Sequence, residues 1–376
     1  MIVFGSIVLL IYLLAIGILI FGYQKVPEFK FNPEVKKTPN TPFSVVIPFR
    51  NEVKNLSVLL NSIQNLNYPK NLYEIIFVND ESMDDSVAII LRDLKHSEVN
   101  YKIIDNIRKS ASPKKDAISE AIKVSQYDWI LTTDADCKLP ENWLLVFNEY
   151  IQKNDPLMIV GPVQYFEKKG LINQYQKLDN YSLQTTTIGA FGLHSPLLCN
   201  GANLAYKKEE FQLVSGFSKN NHIASGDDIF LLEKFKKRNP NRIQFIKSKD
   251  AIVVTQPQDS WKGIINQRIR WASKTTKQDD FITKMLGIIV FIANMFLIFA
   301  LILFLYNSNY IVFFIGFLMI KINIDYLLLL QTSMFFKTKI NIPYFLINTL
   351  IYPIITVIVV LKSLKGNYIW KGRNYN

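Results

Sequence analysis

The sequence predicts an α/β domain, built on a mostly parallel sheet with helices on both faces, and membrane helices at both ends of the chain. Two observations predict this class. Between residues 43 and 133, short apolar runs typical of buried strands alternate with stretches of helical periodicity. One apolar run of membrane-spanning length lies near the start of the chain, and three more lie near its end.

The first predicted membrane helix is the apolar run Ile2–Gly22, which is about as long as a helix that crosses a bilayer. It lacks the basic n-region and the small-residue cleavage site of a removable signal peptide. Lysines follow it at positions 25, 30, 36 and 37, whereas no basic residue precedes it. Because basic segments stay in the cytoplasm, we expect the chain to continue there as a linker over residues 23–42.

Strands alternate with helices in the predicted domain. The predicted strands are Phe43–Pro48, Glu74–Val78, Tyr101–Asp105 and Asp128–Thr133, and the helical patterns cover Val53–Ile63, Ser86–Leu94 and Asp116–Ser125. In such sheets ligands bind at the carboxyl ends of the strands. The sequence contains neither a GxGxxG nor a P-loop motif, so neither a dinucleotide fold nor a P-loop fold is indicated.

Beyond Ile159 the alternation is looser. The predicted elements here are an interfacial helix at Leu171–Pro196, strands at Leu198–Ala205 and Ile243–Thr255, and a helix near Asp228–Lys237. The closing apolar stretches are Met285–Tyr306, Tyr310–Ser333 and Pro343–Leu361. The expected organisation is a membrane helix at 1–22, a linker at 23–42, a cytoplasmic domain at 43–280, and a membrane region with a basic tail at 281–376.

The formal net charge is +12. Basic residues beside membrane spans set topology and attract anionic lipid headgroups. No zinc-finger, basic-helix or RNP pattern accompanies the charge, so we expect membrane lipids and no nucleic acid as partners. Cys137 and Cys199 form no CxxC motif, which fits a reduced cytosolic compartment. The three histidines lack metal-ligand spacing, so zinc is not expected.

Polar residues gather where the predicted strands end and where one helix begins. They are Arg50, Glu52, Asn79, Asp80, Lys114, Lys115 and Asp134, and Pro48 precedes the first of them. A carboxylate such as that of Asp80 can accept a hydrogen bond from a base or a ribose, and lysines near a helix start suit phosphate. Each residue taken alone is more often a turn or cap residue. Because the clusters share one edge of the sheet, they favour a nucleotide-binding site.

The motif Asp134-Ala135-Asp136 ends the fourth predicted strand. Two carboxylates two residues apart point the same way on an extended chain. One of them could instead cap the helix that begins near Trp143, but a cap needs only one acid. Mg²⁺ and Mn²⁺ take carboxylate oxygens together with substrate phosphates. Asp134 and Asp136 are therefore the predicted ligands of a divalent cation.

Two motifs follow further along the chain. Asp227 and Asp228 begin a predicted helix, where the helix dipole alone favours acids. Asp228 could act as a general base for a hydroxyl group, with Asp227 in support. Gln267, Arg270 and Trp271 share one helix face, because residues i, i+3 and i+4 are neighbours. That helix could simply sit among lipid headgroups, or Arg270 could hold a diphosphate while Trp271 walls an acceptor site.

In this order the motifs resemble the membrane-bound branch of glycosyltransferase family 2, from about Phe43 to Trp271, which implies the GT-A fold. Asn79-Asp80 stands where the family usually has two aspartates, and Gly226-Asp227-Asp228 is similar to its Thr-Glu-Asp. The other matches are Pro48, Arg50 and Glu52 to the first nucleotide-binding stretch, Lys114-Lys115-Asp116-Ala117 to the lysine-bearing helix start, Asp134-Ala135-Asp136 to the metal motif, and Gln267-x-x-Arg270-Trp271 to the motif of that form.

The resemblance implies an inverting transfer from a nucleotide-sugar, by default a UDP-sugar. A divalent cation and Arg270 would stabilise the diphosphate, and Asp228 would deprotonate the acceptor. Polysaccharide synthases of the family use more spans than the three that follow this domain, so we favour a lipid or lipid-linked acceptor at the cytoplasmic face of the cell membrane. The complete Gln-x-x-Arg-Trp motif keeps open a processive synthase that extends a glycan. A third alternative is an inactive, membrane-anchored nucleotide-binding protein.

One conflict concerns the C-terminal tail. Three full spans place it outside the cell, although it carries Lys362, Lys365, Lys371 and Arg373. Because charge within a membrane is costly, Lys321, Asn323 and Asp325 could mark Tyr310–Ser333 as a re-entrant or interfacial segment. On that basis we expect a cytoplasmic tail.

Overall fold

The computed structural model describes residues 2–32, 38–221, 223, 225–275, 277–364, 368–370 and 373–375. The chain divides into two compact units. The helical unit comprises residues 1–26, 167–193 and 257–376, and the α/β unit comprises residues 27–166 and 194–256. Each unit is described by itself below.

Helices and strands take these bounds in the described part of the chain. The helices are α1 (Ile2–Lys25), α2 (Leu56–Gln64), α3 (Ser86–Leu94), α4 (Pro113–Val124), α5 (Trp143–Asn154), α6 (Leu171–Gly192), α7 (Lys208–Leu213), α8 (Asp227–Arg238), α9 (Trp261–Thr275), α10 (Phe281–Tyr306), α11 (Ile311–Phe335) and α12 (Ile342–Ser363). The strands are β1 (Phe43–Phe49), β2 (Tyr73–Asn79), β3 (Tyr101–Asp105), β4 (Trp129–Thr132), β5 (Cys137–Lys138), β6 (Met158–Val160), β7 (Val163–Tyr165), β8 (Leu204–Lys207), β9 (Ile243–Phe245), β10 (Val253–Thr255), β11 (Tyr368–Trp370) and β12 (Arg373–Tyr375).

A seven-stranded sheet in the order β3-β2-β1-β4-β8-β6-β9 forms the centre of the α/β unit. The pairs β3-β2, β2-β1, β1-β4 and β6-β9 are parallel, and β8 alone runs antiparallel to both of its neighbours. The side chains of β1 and β2 are buried at nearly every position, as expected for strands covered by helices on both faces. The predicted α/β class with a mostly parallel sheet is confirmed.

Two predicted strands are wrong in extent. The segment predicted as a strand at Leu198–Ala205 forms a 3-10 turn at Gly201–Asn203 and only then enters β8. The segment Ile243–Thr255 splits into β9 and β10, which belong to different sheets, because a turn around Ser248 and a 3-10 turn at Lys249–Ala251 intervene. β10 pairs with β5 and β7 in a smaller three-stranded sheet.

Asn203 is a fully buried polar residue at the junction of these two sheets. Its amide donates to the carbonyl oxygens of Pro162 (2.8 Å) and Ala251 (2.7 Å), and its Oδ1 accepts from Trp143 Nε1 (3.0 Å). A Cβ atom on Gly161 would lie 2.3 Å from the Asn203 amide nitrogen, so glycine is required there. Asn203 therefore ties the 3-10 turn to α5 and to the smaller sheet.

Replacing Asn203 with alanine is expected to lower the free energy of unfolding by about 3 kcal/mol, because three buried partner groups would each lose a hydrogen bond at about 1–3 kcal/mol. Denaturant unfolding of the full chain in detergent, followed by tryptophan fluorescence, measures this loss. The matched control is Asn61→Ala on the exposed face of α2, which should change stability by less than about 0.5 kcal/mol. Equal effects of the two substitutions would contradict the role of Asn203.

The helical unit contains four helices that are long and apolar enough to cross a membrane, counted over the described residues: Ile2–Lys25, Phe281–Tyr306, Ser308–Phe335 and Ile342–Ser363. They correspond to the predicted apolar segments. α6 differs from these four helices, because many of its buried side chains are polar. It lies against α1 at glycines, because a Cβ atom on Gly189 would come within 2.3 Å of the Leu19 carbonyl oxygen.

α11 runs without interruption from Ile311 to Phe335 although it carries charged residues near its middle. Asp325 accepts hydrogen bonds from Lys321 Nζ and from the Tyr12 hydroxyl of α1, both at 2.6 Å. These charges pair with each other, so they provide no reason for the helix to break. A re-entrant or interfacial segment, and with it a cytoplasmic tail, stays a prediction. Of the basic tail, Lys365 and Lys371 lie outside the described residues.

Candidate functional site

The Asp80 carboxylate lies just beyond the end of β2 and is surrounded by hydrogen-bond donors. Asn106 Nδ2 and Arg108 Nε each donate to its Oδ1 at 2.8 Å, and Arg50 Nη1 donates to its carbonyl oxygen at 2.8 Å. Burial lowers the pKa of Arg108, but hydrogen bonds and charge from Asp80 and Glu81 outweigh this and raise it. The result is a carboxylate held between fixed cationic and amide donors.

Asn106 and Arg108 were missed by the sequence analysis. They follow β3 by one and three residues, and the same strand-end rule that selected Asp80 could have found them. Other predicted residues of this edge make local contacts: Asn55 Nδ2 donates to Glu52 Oε2 (2.7 Å), and Asn79 Oδ1 accepts from the Ser82 amide (2.9 Å). Pro48 lies within β1, paired in register with Val78. These residues shape the turns around Asp80.

Lys114, at the start of α4, joins the two predicted acid motifs. Its Nζ lies 2.7 Å from Asp134 Oδ1 and 3.3 Å from Asp227 Oδ2. Burial lowers the pKa of Lys114, but the carboxylates of Asp134, Asp227 and Asp228 raise it well above its ordinary value. Residues from α4, from the end of β4 and from the start of α8 therefore converge around one ammonium group.

The Asp228 carboxylate accepts hydrogen bonds from backbone amides, one of which belongs to a glycine. The Gly201 amide donates to Asp228 Oδ2 (3.2 Å), and the Ile229 amide donates to Oδ1 (2.8 Å). A Cβ atom on Gly201 would lie 3.0 Å from Asp227 Oδ2 and 3.3 Å from Lys114 Nζ, so a larger residue would crowd the acid pair. The sequence analysis missed Gly201, because its contacts to α8 come from residues far apart in the chain.

Asp136 accepts a hydrogen bond from Thr255 Oγ1 of β10 (3.2 Å). Burial, with the nearby charges of Asp136 and Asp134, raises the pKa of the Cys137 thiol, which stays protonated. Over the described residues, no group of three or more His, Cys, Asp and Glu side chains could hold a metal ion. Mg²⁺ is commonly held by one or two carboxylates completed by substrate phosphates, and the donor set of Asp134 and Asp136 fits that arrangement.

The side chain of Lys115 makes different contacts from that of its neighbour Lys114. It is 1% exposed, and its Nζ donates to the carbonyl oxygens of Asn220 (2.7 Å) and Ile223 (3.0 Å). The same ammonium lies 4.9 Å from the ring centroid of Phe230. These contacts use the side chain inside the protein, so we remove Lys115 from the candidate donor-binding residues.

Gln267, Arg270 and Trp271 lie on α9 in the helical unit. Arg268, which the sequence analysis did not single out, makes several side-chain contacts around this helix. It forms a buried ion pair with Asp179 of α6, donates to Gln267 Oε1 (2.9 Å), and places its guanidinium 4.1 Å from the centroid of the Trp271 ring. The spacing of Arg268 and Trp271, three residues apart on a helix, is the signal that could have found it.

Comparison with known proteins gives two overlapping matches to family models. The model described as "Glycosyl transferase family 2" matches residues 44–212, and that described as "Glycosyl transferase family group 2" matches residues 129–337.

Curated relatives and a solved structure resemble the chain at low identity. Poly-beta-1,6-N-acetyl-D-glucosamine synthase of Staphylococcus epidermidis is 24% identical over 61% of this chain and 53% of that protein. Poly(ribitol-phosphate) beta-glucosyltransferase of Bacillus spizizenii is 30% identical over 34% of this chain and 20% of that protein. The chain thus spans about half the length of the first relative and less of the second. A mannosyltransferase from Pyrobaculum calidifontis, solved with GDP-Man and Mn²⁺, superposes with a TM-score of 0.55 at 18% identity, over 96% of this chain and 95% of the other.

Proposed function

Because the chain belongs to glycosyl transferase family group 2, we propose that it transfers a sugar from a UDP-sugar to an acceptor hydroxyl with inversion at the anomeric carbon. The observation that carries this proposal is the convergence on Lys114 of Asp134 and Asp227, from the two separate acid motifs. A lysine between a candidate metal motif and a candidate base is suited to a diphosphate on one side and a reacting hydroxyl on the other.

The Asp80 carboxylate is suited to accept from an N–H donor of the base. The pairing edge of uracil presents such a donor between two carbonyl acceptors, and the donors of Asn106 and Arg108 hold the carboxylate in place for it. Guanine presents one acceptor followed by two donors, which a carboxylate also accepts, so uracil is proposed as the default of the family and not from this contact alone. The choice between uracil and guanine needs an experimental test, because the mannosyltransferase of similar fold was solved with GDP-Man.

We assign the roles in the reaction from the order of the motifs and from the contacts of the side chains. Asp134 and Asp136 would hold Mg²⁺ or Mn²⁺, which when bound neutralises charge on the departing diphosphate. Lys114 contributes a second positive charge to the same group. Asp228 takes the proton of the acceptor hydroxyl as its oxygen bonds to the anomeric carbon and the bond to the diphosphate breaks. Asp227 holds Lys114 in place, and Gln267, Arg270 and Trp271 are proposed to bind diphosphate and acceptor.

The acceptor is proposed to be a lipid or lipid-linked molecule at the cytoplasmic face of the cell membrane. Four membrane-length helices in the described chain, and lysines that follow the first of them, support this placement. A specific observation favours a second candidate, processive synthesis of a glycan: one relative is a poly-beta-1,6-N-acetyl-D-glucosamine synthase.

A donor panel tests the proposal. Purified full-length protein in nanodiscs, with a membrane lipid extract and Mn²⁺, is offered UDP- and GDP-sugars, and release of nucleoside diphosphate is measured. We expect release from one UDP-sugar, abolished by chelation of the metal. In Asp80→Asn the affinity for UDP should fall by about tenfold or more, because the amide sets a donor against the uracil N–H.

Each other outcome has a definite meaning. Release only from a GDP-sugar would contradict the assignment of uracil. Metal-dependent binding of nucleotide without release, from any donor and with any extract, would indicate an inactive binding protein. Mass spectrometry of the product separates one sugar on a lipid from a ladder of polymer lengths.

A further inference from the structure

The segment that precedes the acid pair is held to the protein by a buried lysine. Residues Asn220 and Ile223 form a turn, in which the Ile223 amide donates to the Asn220 carbonyl oxygen (3.2 Å). Both carbonyl oxygens also accept from Lys115 Nζ, at 2.7 and 3.0 Å. Ile223 precedes Asp227, the first residue of α8, by four positions.

The same ammonium also touches α8 on the other side of the acid pair. Phe230 is buried one turn after Asp227, and its ring faces Lys115 Nζ at 4.9 Å, which is within the range of a cation–π contact. Lys115 therefore contacts the chain before and after Asp227 and Asp228.

The side chains of Lys114 and Lys115 leave α4 in different directions and contact different groups. Successive residues on a helix are about 100° apart, so one side chain reaches the acid cluster while the next reaches the turn. Lys114 binds Asp134 and Asp227 directly. Lys115 binds backbone carbonyls, which a buried ammonium needs to offset the loss of water.

We propose that Lys115 is a positioning residue for sugar transfer, which holds Asn220, Ile223 and the first turn of α8 so that Asp228 stays in position for the acceptor hydroxyl. The proposal rests on the proposed function, because it assigns a kinetic consequence to the placement of Asp228. Displacement of a reacting group by about 1 Å can cost about 100-fold in rate.

The test compares adjacent lysines in the full-length protein in nanodiscs. Lys115→Met should lower kcat by about tenfold or more, while the Kd for UDP with Mn²⁺ stays within about twofold, because Asp80 and Lys114 are untouched. Lys115→Arg, which can still donate to both carbonyls, should recover most of the rate. Lys114→Met should differ from Lys115→Met by weakening UDP binding as well as lowering kcat.

Lys234→Met is the matched control. Lys234 of α8 also binds loop carbonyls, those of Gly216 (2.5 Å) and Ser218 (2.8 Å), but at the far end of the same loop. Its removal should leave kcat within about twofold. An unchanged kcat in Lys115→Met, or an equal loss in Lys234→Met, would overturn the proposal.

Two further measurements cover the remaining cases. If Lys115→Met does not fold, Phe230→Leu removes the ring and keeps the hydrogen bonds; kcat should fall severalfold at unchanged UDP affinity, and an unchanged kcat overturns the proposal. If the wild-type protein transfers no sugar, the proposed function is wrong. Hydrogen exchange at residues 220–228 then tests the role of Lys115 directly, since it should rise in Lys115→Met, and unchanged exchange would exclude that role.

Discussion

Replacing Asp228 with asparagine is expected to lower the rate of sugar transfer by about 1,000-fold, within the range of about 10²–10⁴ for loss of a general base. The amide cannot take the proton of the acceptor hydroxyl. It can still accept a hydrogen bond from the Gly201 amide, which now binds the carboxylate at 3.2 Å, so the local fold should persist. Single-turnover kinetics with radiolabelled donor measure the chemical step apart from product release.

Nucleotide binding separates Asp228 from its neighbour. Asp228→Asn should bind UDP and Mn²⁺ as the wild-type protein does. Asp227→Asn removes the carboxylate that lies 3.3 Å from Lys114 Nζ and should weaken donor binding as well as turnover. If Asp228→Asn retains more than about a tenth of the wild-type rate, the base lies elsewhere. If both variants lose affinity equally, the two acids act as one structural unit.

Replacing Asp136 with asparagine is expected to lower kcat/KM by about 100-fold or more, because the proposed ligand of the divalent cation loses its charge. The effect should appear as a need for more metal, and titration of Mn²⁺ against UDP binding measures it. Asp136 tests the metal proposal more directly than Asp134 does, because Asp134 also pairs with Lys114 at 2.7 Å.

The control for Asp136 is the hydroxyl that orients it. Thr255→Val removes the donor at 3.2 Å from Asp136 Oδ1 and keeps the size of the side chain. It should raise the Mn²⁺ requirement by less than Asp136→Asn does. A Mn²⁺ dependence that is identical in the wild-type protein and in Asp136→Asn would exclude this residue as a ligand.

The first half of the α/β unit was predictable because its pattern is local. Each strand from β1 to β4 is a short apolar run, and the polar residues that follow lie at the carboxyl ends of parallel strands. The second half was not, because β8 inserts antiparallel between β4 and β6, a pairing between residues distant in the chain. The predicted strand Ile243–Thr255 is split by the turns around Ser248 and at Lys249–Ala251, after which β10 pairs in a different sheet from β9.

The candidate site shows the same division between local and distant contacts. The acid motifs were visible because they are contiguous, and the structure places both against Lys114. Gly201 was not visible, because its importance comes from side chains on α4 and α8 that surround it. The different contacts of Lys114 and Lys115 were also not predictable, because the sequence does not tell which of two adjacent helical lysines faces the acids. Arg268 lay inside a recognised motif at a position the motif leaves unspecified.

The contact of Tyr12 with Asp325 bears on how the four membrane-length helices assemble with one another. The two residues are 313 positions apart, so α1 leaves the ribosome long before α11 does. A lysine and an aspartate at the centre of a bilayer cost several kcal/mol if they face lipid, and Lys321 offsets that cost only in part, because Asp325 has a second oxygen to satisfy. The hydroxyl of Tyr12 meets that requirement. The first helix therefore supplies the hydrogen bond that completes the charged turn of α11.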